Sequence, residues 1–174
     1  MAKLQDIGHT EEAFGAMVRR NEALIYKVSL AFATQYGSTA EDLRQEMLCD
    51  LWRGFEGFRH QCAESTWIYR VVLNTALMRQ RKERRGPELV SLEGNGVGHE
   101  PTTALDEAER AQLEHLYALI ARLETEEQKL IYLYLDGLSG KEMAEVMEMR
   151  EGAVKVRLHR IKVKLKKMAE HEQE

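Results

Sequence analysis

Residues 86–107, "GPELVSLEGNGVGHEPTTALDE", constrain this chain more than any other stretch. Four of its 12 glycines and both prolines fall there, and no apolar periodicity crosses it. A helix or strand through such a segment would lose backbone order and hydrogen bonds, so the pattern predicts a flexible linker over 86–106. The chain must therefore fold as two pieces, 1–85 and 107–174, each at the small end of the domain range.

Both pieces read as helical. Across 11–36, Phe14, Met17, Val18, Leu24, Ile25, Val28 and Phe32 recur at helical spacing, which predicts one helix ending at Gly37. Ser38 with Glu41 offers a capping box for a second helix, whose Leu43, Met47, Leu48 and Leu51 carry it to about Phe55. A third runs from Thr66, with Ile68, Val71, Val72 and Thr75 on one face and Trp67, Arg70, Asn74 and Arg81 on another. Beyond the linker, Leu113, Leu116, Tyr117, Ile120 and Leu123 stack along a fourth helix. Thr125 with Gln128 and Ser139 with Glu142 read as the boxes opening two more, the first closed by Gly137. The fold class is all-α, with two small helical domains.

The formal net charge is −4, but the charges are segregated. Residues 70–85 carry six cations against Glu83, and residues 150–167 carry eight against Glu151. Fourteen of the 25 Lys and Arg thus sit in two short blocks, which points to two separate polyanion contacts. No apolar run reaches the roughly 18 residues that would predict a membrane span, and the first residues lack a signal-peptide core. Cys49 and Cys62 form no CxxC pair and His60 brings no further ligand, so neither a disulfide framework nor a metal is expected. The expected location is the cytoplasm, with Cys49 as a small core residue.

The end of the chain pairs a short helix, "GKEMAEVM", with a longer basic one across the tight connection "EMRE". That is a helix-turn-helix, in which the first helix braces the second and the second enters the major groove. Ala144 is small enough for the close crossing, while Val146, Met149, Val154 and Leu158 fill the junction. Arg150, Lys155, Arg157 and Arg160 then face phosphates or bases.

The first half decides which kind of DNA protein this is. "DLRQE" (42–46), "LWR" (51–53), "FR" (58–59), "TWIYR" (66–70) and Asn74 stand in the order and spacing of region two of the extracytoplasmic-function sigma factors. "GLSGKEMAEVMEMREGAVKVRLHRIKVKL" resembles region four of the same family, the small promoter-specificity subunits of bacterial RNA polymerase. The resemblance implies that Asp42, Gln45, Glu46 and Trp52 dock on core polymerase. It also implies that the loop after Phe58 and the helix from Thr66 read a melted −10 element. The residue types suit that task. His60, Gln61, Glu64 and Ser65 can line a pocket for an extruded base, Trp67 can stack, Arg70 can take a phosphate, and Asn74 can offer a donor and an acceptor. Arg81 and its neighbours would follow the backbone. The −35 element falls to Arg150, Lys155, Arg157 and Arg160.

Four positions depart from the family's pattern. Glu148 stands where the turn usually has Gly, leaving the turn looser or continued as helix. Arg150 replaces a Ser or Thr cap, and Ala153 and Val156 replace hydroxyl residues. The resemblance further implies promoter DNA and core polymerase as partners, an anti-sigma factor as a usual one, and no cofactor or membrane insertion. A freestanding helix-turn-helix regulator with a dimerising or sensing bundle is the alternative, and an interaction protein with merely solubilising basic faces is another. An enzyme is disfavoured, since no Ser/His/Asp, carboxylate-pair or phosphate-loop arrangement is present.

Overall fold

The computed structural model describes residues 2–33, 39–85 and 107–171. Every regular element among them is an α-helix. The chain divides into two compact units, Met1–Glu93 and Gly94–Glu174. The segment expected as a linker, 86–106, lies outside the described residues, as do Gly37 and Ser38.

The first unit holds α1 (Ala2–Arg20), α2 (Glu22–Ala33), α3 (Ala40–Phe55) and α4 (Glu64–Arg85). The single helix expected over 11–36 is therefore two. Asn21 makes the break: its side-chain amide donates to the Met17 carbonyl at 2.9 Å, while its backbone N–H lies 3.1–3.2 Å from the Val18 and Met17 carbonyls. A short amide competing for backbone partners interrupts a helix without disturbing the apolar spacing on either side, so periodicity alone ran through it. The cap of α3 is Thr39, whose Oγ1 accepts the Asp42 N–H at 3.1 Å, one residue later than the Ser38–Glu41 box expected. Similarly α4 begins at Glu64, not Thr66, so Glu64 and Ser65 belong to its first turn.

Helices α2, α3 and α4 pack on one another. Ile25 and Val28 of α2, Leu43, Met47 and Leu51 of α3, and Ile68, Val72, Leu73 and Leu77 of α4 are all at most 2% exposed. Each such side chain contributes about 1.5–3 kcal/mol by leaving water. Two polar groups inside find partners: the Ser29 hydroxyl donates to the Tyr26 carbonyl at 2.8 Å, and that of Thr75 to Asp50 Oδ2 at 2.8 Å. Cys49, expected in this core, is instead exposed on α3 as a free thiol. It lies three positions before Trp52 on the helix's outer side, where a small residue is not forced inward.

The second unit holds α5 (Glu107–Ala121), α6 (Thr125–Leu135), α7 (Gly140–Met147) and α8 (Glu151–His171). Leu119, Ile120, Leu130, Leu133, Met143, Val146, Val154 and Ile161 build its core. The box opening α6 is again displaced by one: Glu124 is the N-cap, and its N–H donates to Glu127 Oε2 at 3.1 Å. Gln128 is buried instead, donating from Nε2 to the carbonyl of Ala121, the last residue of α5, and to that of Leu123 just beyond it. The Ser139–Glu142 box opens α7 as expected, with both reciprocal bonds made at 2.8 and 3.2 Å. Gly137, at φ +85°, closes α6: Leu138 N–H reaches the Leu133 carbonyl and Gly137 N–H that of Tyr134. Lys164 ties α8 to α6 through Glu127 at 2.7 Å. Burial pushes the Glu127 carboxyl up, but the bonds from Lys164 and the Glu124 N–H outweigh it and hold it below its ordinary value.

The α7–α8 turn stays tight, correcting the looser or helical turn expected from Glu148. Met149 N–H reaches the Ala144 carbonyl at 2.9 Å and Glu148 N–H that of Glu145 at 3.3 Å, the closure that normally uses glycine. Glu148 adopts the left-handed conformation itself, at φ 54° and ψ 43°. For a residue with a Cβ this costs roughly 1–2 kcal/mol, and glycine's greater freedom in the unfolded chain offsets part of the gain on replacing it. Glu148→Gly is therefore expected to stabilise the second unit by about 0.5–1 kcal/mol, which is a rise of a few degrees in its thermal midpoint for a domain this small. An unchanged or lower midpoint would show that the glutamate carries no strain.

Candidate nucleic-acid interface

In the first unit the polar loop spans residues 56–63, between α3 and α4. Its conformation turns on His60, exposed at φ 54°, a region that His visits more readily than most residues. The His60 ring lies 4.6 Å from that of Phe58, tilted by 53°, and Phe58 stacks on Trp67 at 4.7 Å and 19°. The indole's far edge approaches α3 at Gly54, where an added Cβ would sit 3.1 Å from Trp67 Cζ2. Trp67 is thus a fixed, half-buried shelf between Gly54 and Phe58 rather than a freely swinging side chain. Sequence reading named Trp67 and Phe58 but not that Phe58 holds the indole, and it passed over Gly54; an aromatic in the loop and a glycine near the end of α3 were the available signal.

Behind Trp67, the side chains of Arg70, Asn74, Met78 and Arg81 follow at spacings of three and four, forming one stripe along α4. Asn74, Met78 and Arg81 are exposed, and Arg70 is partly so. Met78, at 68%, is the most exposed large apolar residue described and was missed, although it stands midway in the Asn74–Arg81 spacing. Gln61 and Ser65 are exposed as well.

Glu64 is placed otherwise. Its carboxylate accepts Arg20 Nη2 at 2.8 Å and Arg20 Nε at 3.3 Å, and takes the Asn21 amide at 2.6 Å. The Arg20 hydrogen bond holds this carboxyl below its ordinary value against a smaller opposing effect of burial, helped by Asn21 and by the charges of Arg20 and His60. A carboxylate so engaged is committed to its own chain.

On α3, Asp42, Gln45, Glu46 and Trp52 are all exposed, at spacings that keep them along one side of the helix. Glu46 pairs with Arg79 of α4 at 3.0 Å. Trp52, 40% exposed, meets Phe14 edge-on at 5.0 Å, and Phe14 in turn meets Phe55 at 5.4 Å. The indole is therefore braced by α1 while one side stays in solvent.

In the second unit α7 braces α8. Val154 is fully buried, Ala144 and Val146 are nearly so, and Met149 and Leu158 are partly covered at the same junction. Arg150 stands at the start of α8, its carbonyl accepting the Ala153 and Val154 N–H groups at 2.9 and 3.1 Å. Arg150, Lys155, Arg157 and Arg160 are all exposed. Lys155 pairs within the helix with Glu151 at 2.8 Å, and Arg157 leans on Met149 Sδ at 3.7 Å, which steers its guanidinium toward the start of the helix. Ala153 and Val156 are exposed among these cations, Val156 at 52%, so α8 presents apolar contacts beside charged ones. That mixture suits a groove in which phosphates flank thymine methyls.

Among the described residues no three His, Cys, Asp or Glu side chains converge as metal ligands would, and no helix is long and apolar enough to cross a membrane.

Comparison with known proteins follows the same division. Residues 17–86 match the family model for sigma-70 region 2, and residues 113–165 that for sigma-70 region 4. The chain is 26% identical over 165 residues to the ECF RNA polymerase sigma factor SigM of Mycobacterium tuberculosis, covering 90% of this chain and 76% of that one. It is 28% identical over 141 residues to SigW of Bacillus subtilis, covering 74% of each. Among solved structures, CnrH in complex with the cytosolic domain of CnrY superposes with a TM-score of 0.59 at 20% identity, covering 92% of this chain and 90% of the other. RpoE of Bartonella quintana, in complex with the anti-sigma factor NepR, gives 0.61 at 19%, covering 91% and 98%.

Proposed function

The chain belongs to the sigma-70 family of RNA polymerase sigma factors, in its extracytoplasmic-function group, and from that membership we propose how its two units divide the work. The first, 1–85, docks on core polymerase through Asp42, Gln45, Glu46 and Trp52 and captures the −10 element as single strand through His60, Gln61, Ser65 and the α4 stripe. The second, 107–174, lays α8 in the major groove of the −35 element. Residues 86–106 join them. Neither step calls for a catalytic residue or a cofactor of the chain's own, and the work is done in the cytoplasm. The partners held by the two solved relatives, CnrY and NepR, support an anti-sigma factor as its regulatory partner.

The observation that carries this reading is the α4 stripe. A dimerising or sensing bundle would cover an apolar face there, whereas α4 leaves an amide, a thioether and a guanidinium in solvent beside a fixed indole. Unstacking a base costs a few kcal/mol, and stacking plus edge contacts of about 1–3 kcal/mol per base offset it. The net charge of −4 is no obstacle, because both DNA-facing surfaces are locally cationic.

The polymerase interface is tested by substitution on α3. Loss of a braced, half-exposed Trp from an interface centre costs about 2 kcal/mol, so Trp52→Ala is expected to weaken core binding roughly thirtyfold. Asp42→Lys with Glu46→Lys should weaken it at least as much while the unit stays folded. Core affinity unchanged by all three would remove α3 from that interface.

A further inference from the structure

We propose that Arg20, Asn21 and Glu64 form a clamp that sets the −10 loop before DNA arrives, so that Glu64 is a positioning residue rather than a base contact. This rests on the −10 function proposed for the first unit. Glu64 is the first residue of α4, directly after the loop 56–63. Arg20 closes α1, and Asn21 is the break before α2. The Arg20 guanidinium meets the carboxylate with two nitrogens, at 2.8 and 3.3 Å, a fork geometry that fixes orientation as well as distance. Asn21 donates to the carboxylate at 2.6 Å and to the Met17 carbonyl at 2.9 Å from the same amide nitrogen. The helix break is thus what aims the amide at α4.

Three elements therefore meet on one carboxylate, and the loop they anchor holds His60 in the left-handed conformation. A carboxylate at the first turn of α4 also faces the positive end of the helix dipole. Nothing in the clamp needs to touch DNA for the loop to depend on it. A pocket that must catch an extruded base gains speed from being preformed, and a displacement of about 1 Å costs up to a hundredfold in comparable positioning problems.

The test uses the full chain bound to core polymerase and measures the rate of promoter opening, by permanganate reactivity at the −10 element, beside closed-complex affinity and melting temperature. The variants are Arg20→Met, Arg20→Lys, Glu64→Ala, the pair Arg20→Met with Glu64→Ala, and His60→Ala with Gln61→Ala in the loop itself. Arg20 is 59% exposed, so its variants carry little risk of misfolding. Arg20→Met and Glu64→Ala should each slow opening about tenfold at unchanged closed-complex affinity, Arg20→Lys should recover most of the rate, and the double variant should be no slower than either single. Additive losses would mean two independent DNA contacts and overturn the clamp. So would slow opening in the loop variant with normal opening in the clamp variants, which leaves the −10 reading intact. Losses that track melting temperature and closed-complex affinity equally would reduce the clamp to a fold contact. Normal opening in every variant, the loop included, would sink the −10 reading and the clamp with it.

Discussion

Alanine at Arg150, Lys155, Arg157 and Arg160 together is expected to cut −35 binding by about a thousandfold, at roughly 1 kcal/mol for each charged side chain taken from the DNA. The four project from a helix braced by Val146, Val154 and Ile161, so their removal changes the charge of the surface without touching the core. Lys155 is partly neutralised by Glu151, which makes it the weakest of the four singly. Phosphate contacts release counterions, so the slope of log affinity against log salt should fall by about one for each phosphate-binding cation replaced. The loss should be nearly uniform over DNA sequences for phosphate contacts and confined to one position for a base contact. The measurement belongs in the polymerase complex, across a range of salt. An unchanged affinity and an unchanged slope would take α8 out of the groove.

The second large effect concerns −10 choice. Exchanging residues 60–63 for those of a family member with a different −10 preference, with Glu64 kept, should move the preference to the new promoter. At about 1–3 kcal/mol for a captured base, the ratio of opening rates on the two promoters should shift roughly five- to 150-fold. Binding to the −35 element and to core polymerase should stay as they were, because neither α8 nor α3 is altered. Trp67 is left in place for a physical reason: its ring is held by Phe58 and stands against Gly54, so replacing it would disturb the packing of α3 on α4 as well as the proposed DNA surface. Opening that keeps its original promoter preference after the exchange would make residues 60–63 a connector only.

Much of this was legible in the sequence because it depends on local rules. Apolar spacing marked the helices, Ser139 with Glu142 and Gly137 marked the bounds of α7 and α6, and the two cationic blocks marked α4 and α8. What stayed hidden depended on interactions between distant residues. The break at Asn21 leaves the apolar spacing of α1 and α2 intact, so only its side-chain geometry reveals it. Two caps were displaced by a single residue, because Thr39 beside Ser38 and Glu124 beside Thr125 are both able to cap. Glu64 looked like a loop residue with a free edge, and its partners stand more than 40 positions earlier. Glu148 shows the reverse case: a residue type that argues against a tight turn is held in one because Ala144, Val146 and Val154 pack the two helices together.

The central claim, that this chain gives polymerase its promoter, is tested most directly by mapping transcript starts made by purified core polymerase on a promoter library, with and without the chain. The account predicts discrete starts that appear only with the chain, each preceded by a −10 region that becomes permanganate-reactive and each lost with the four α8 alanines. Starts unchanged by a folded chain that binds core would contradict it.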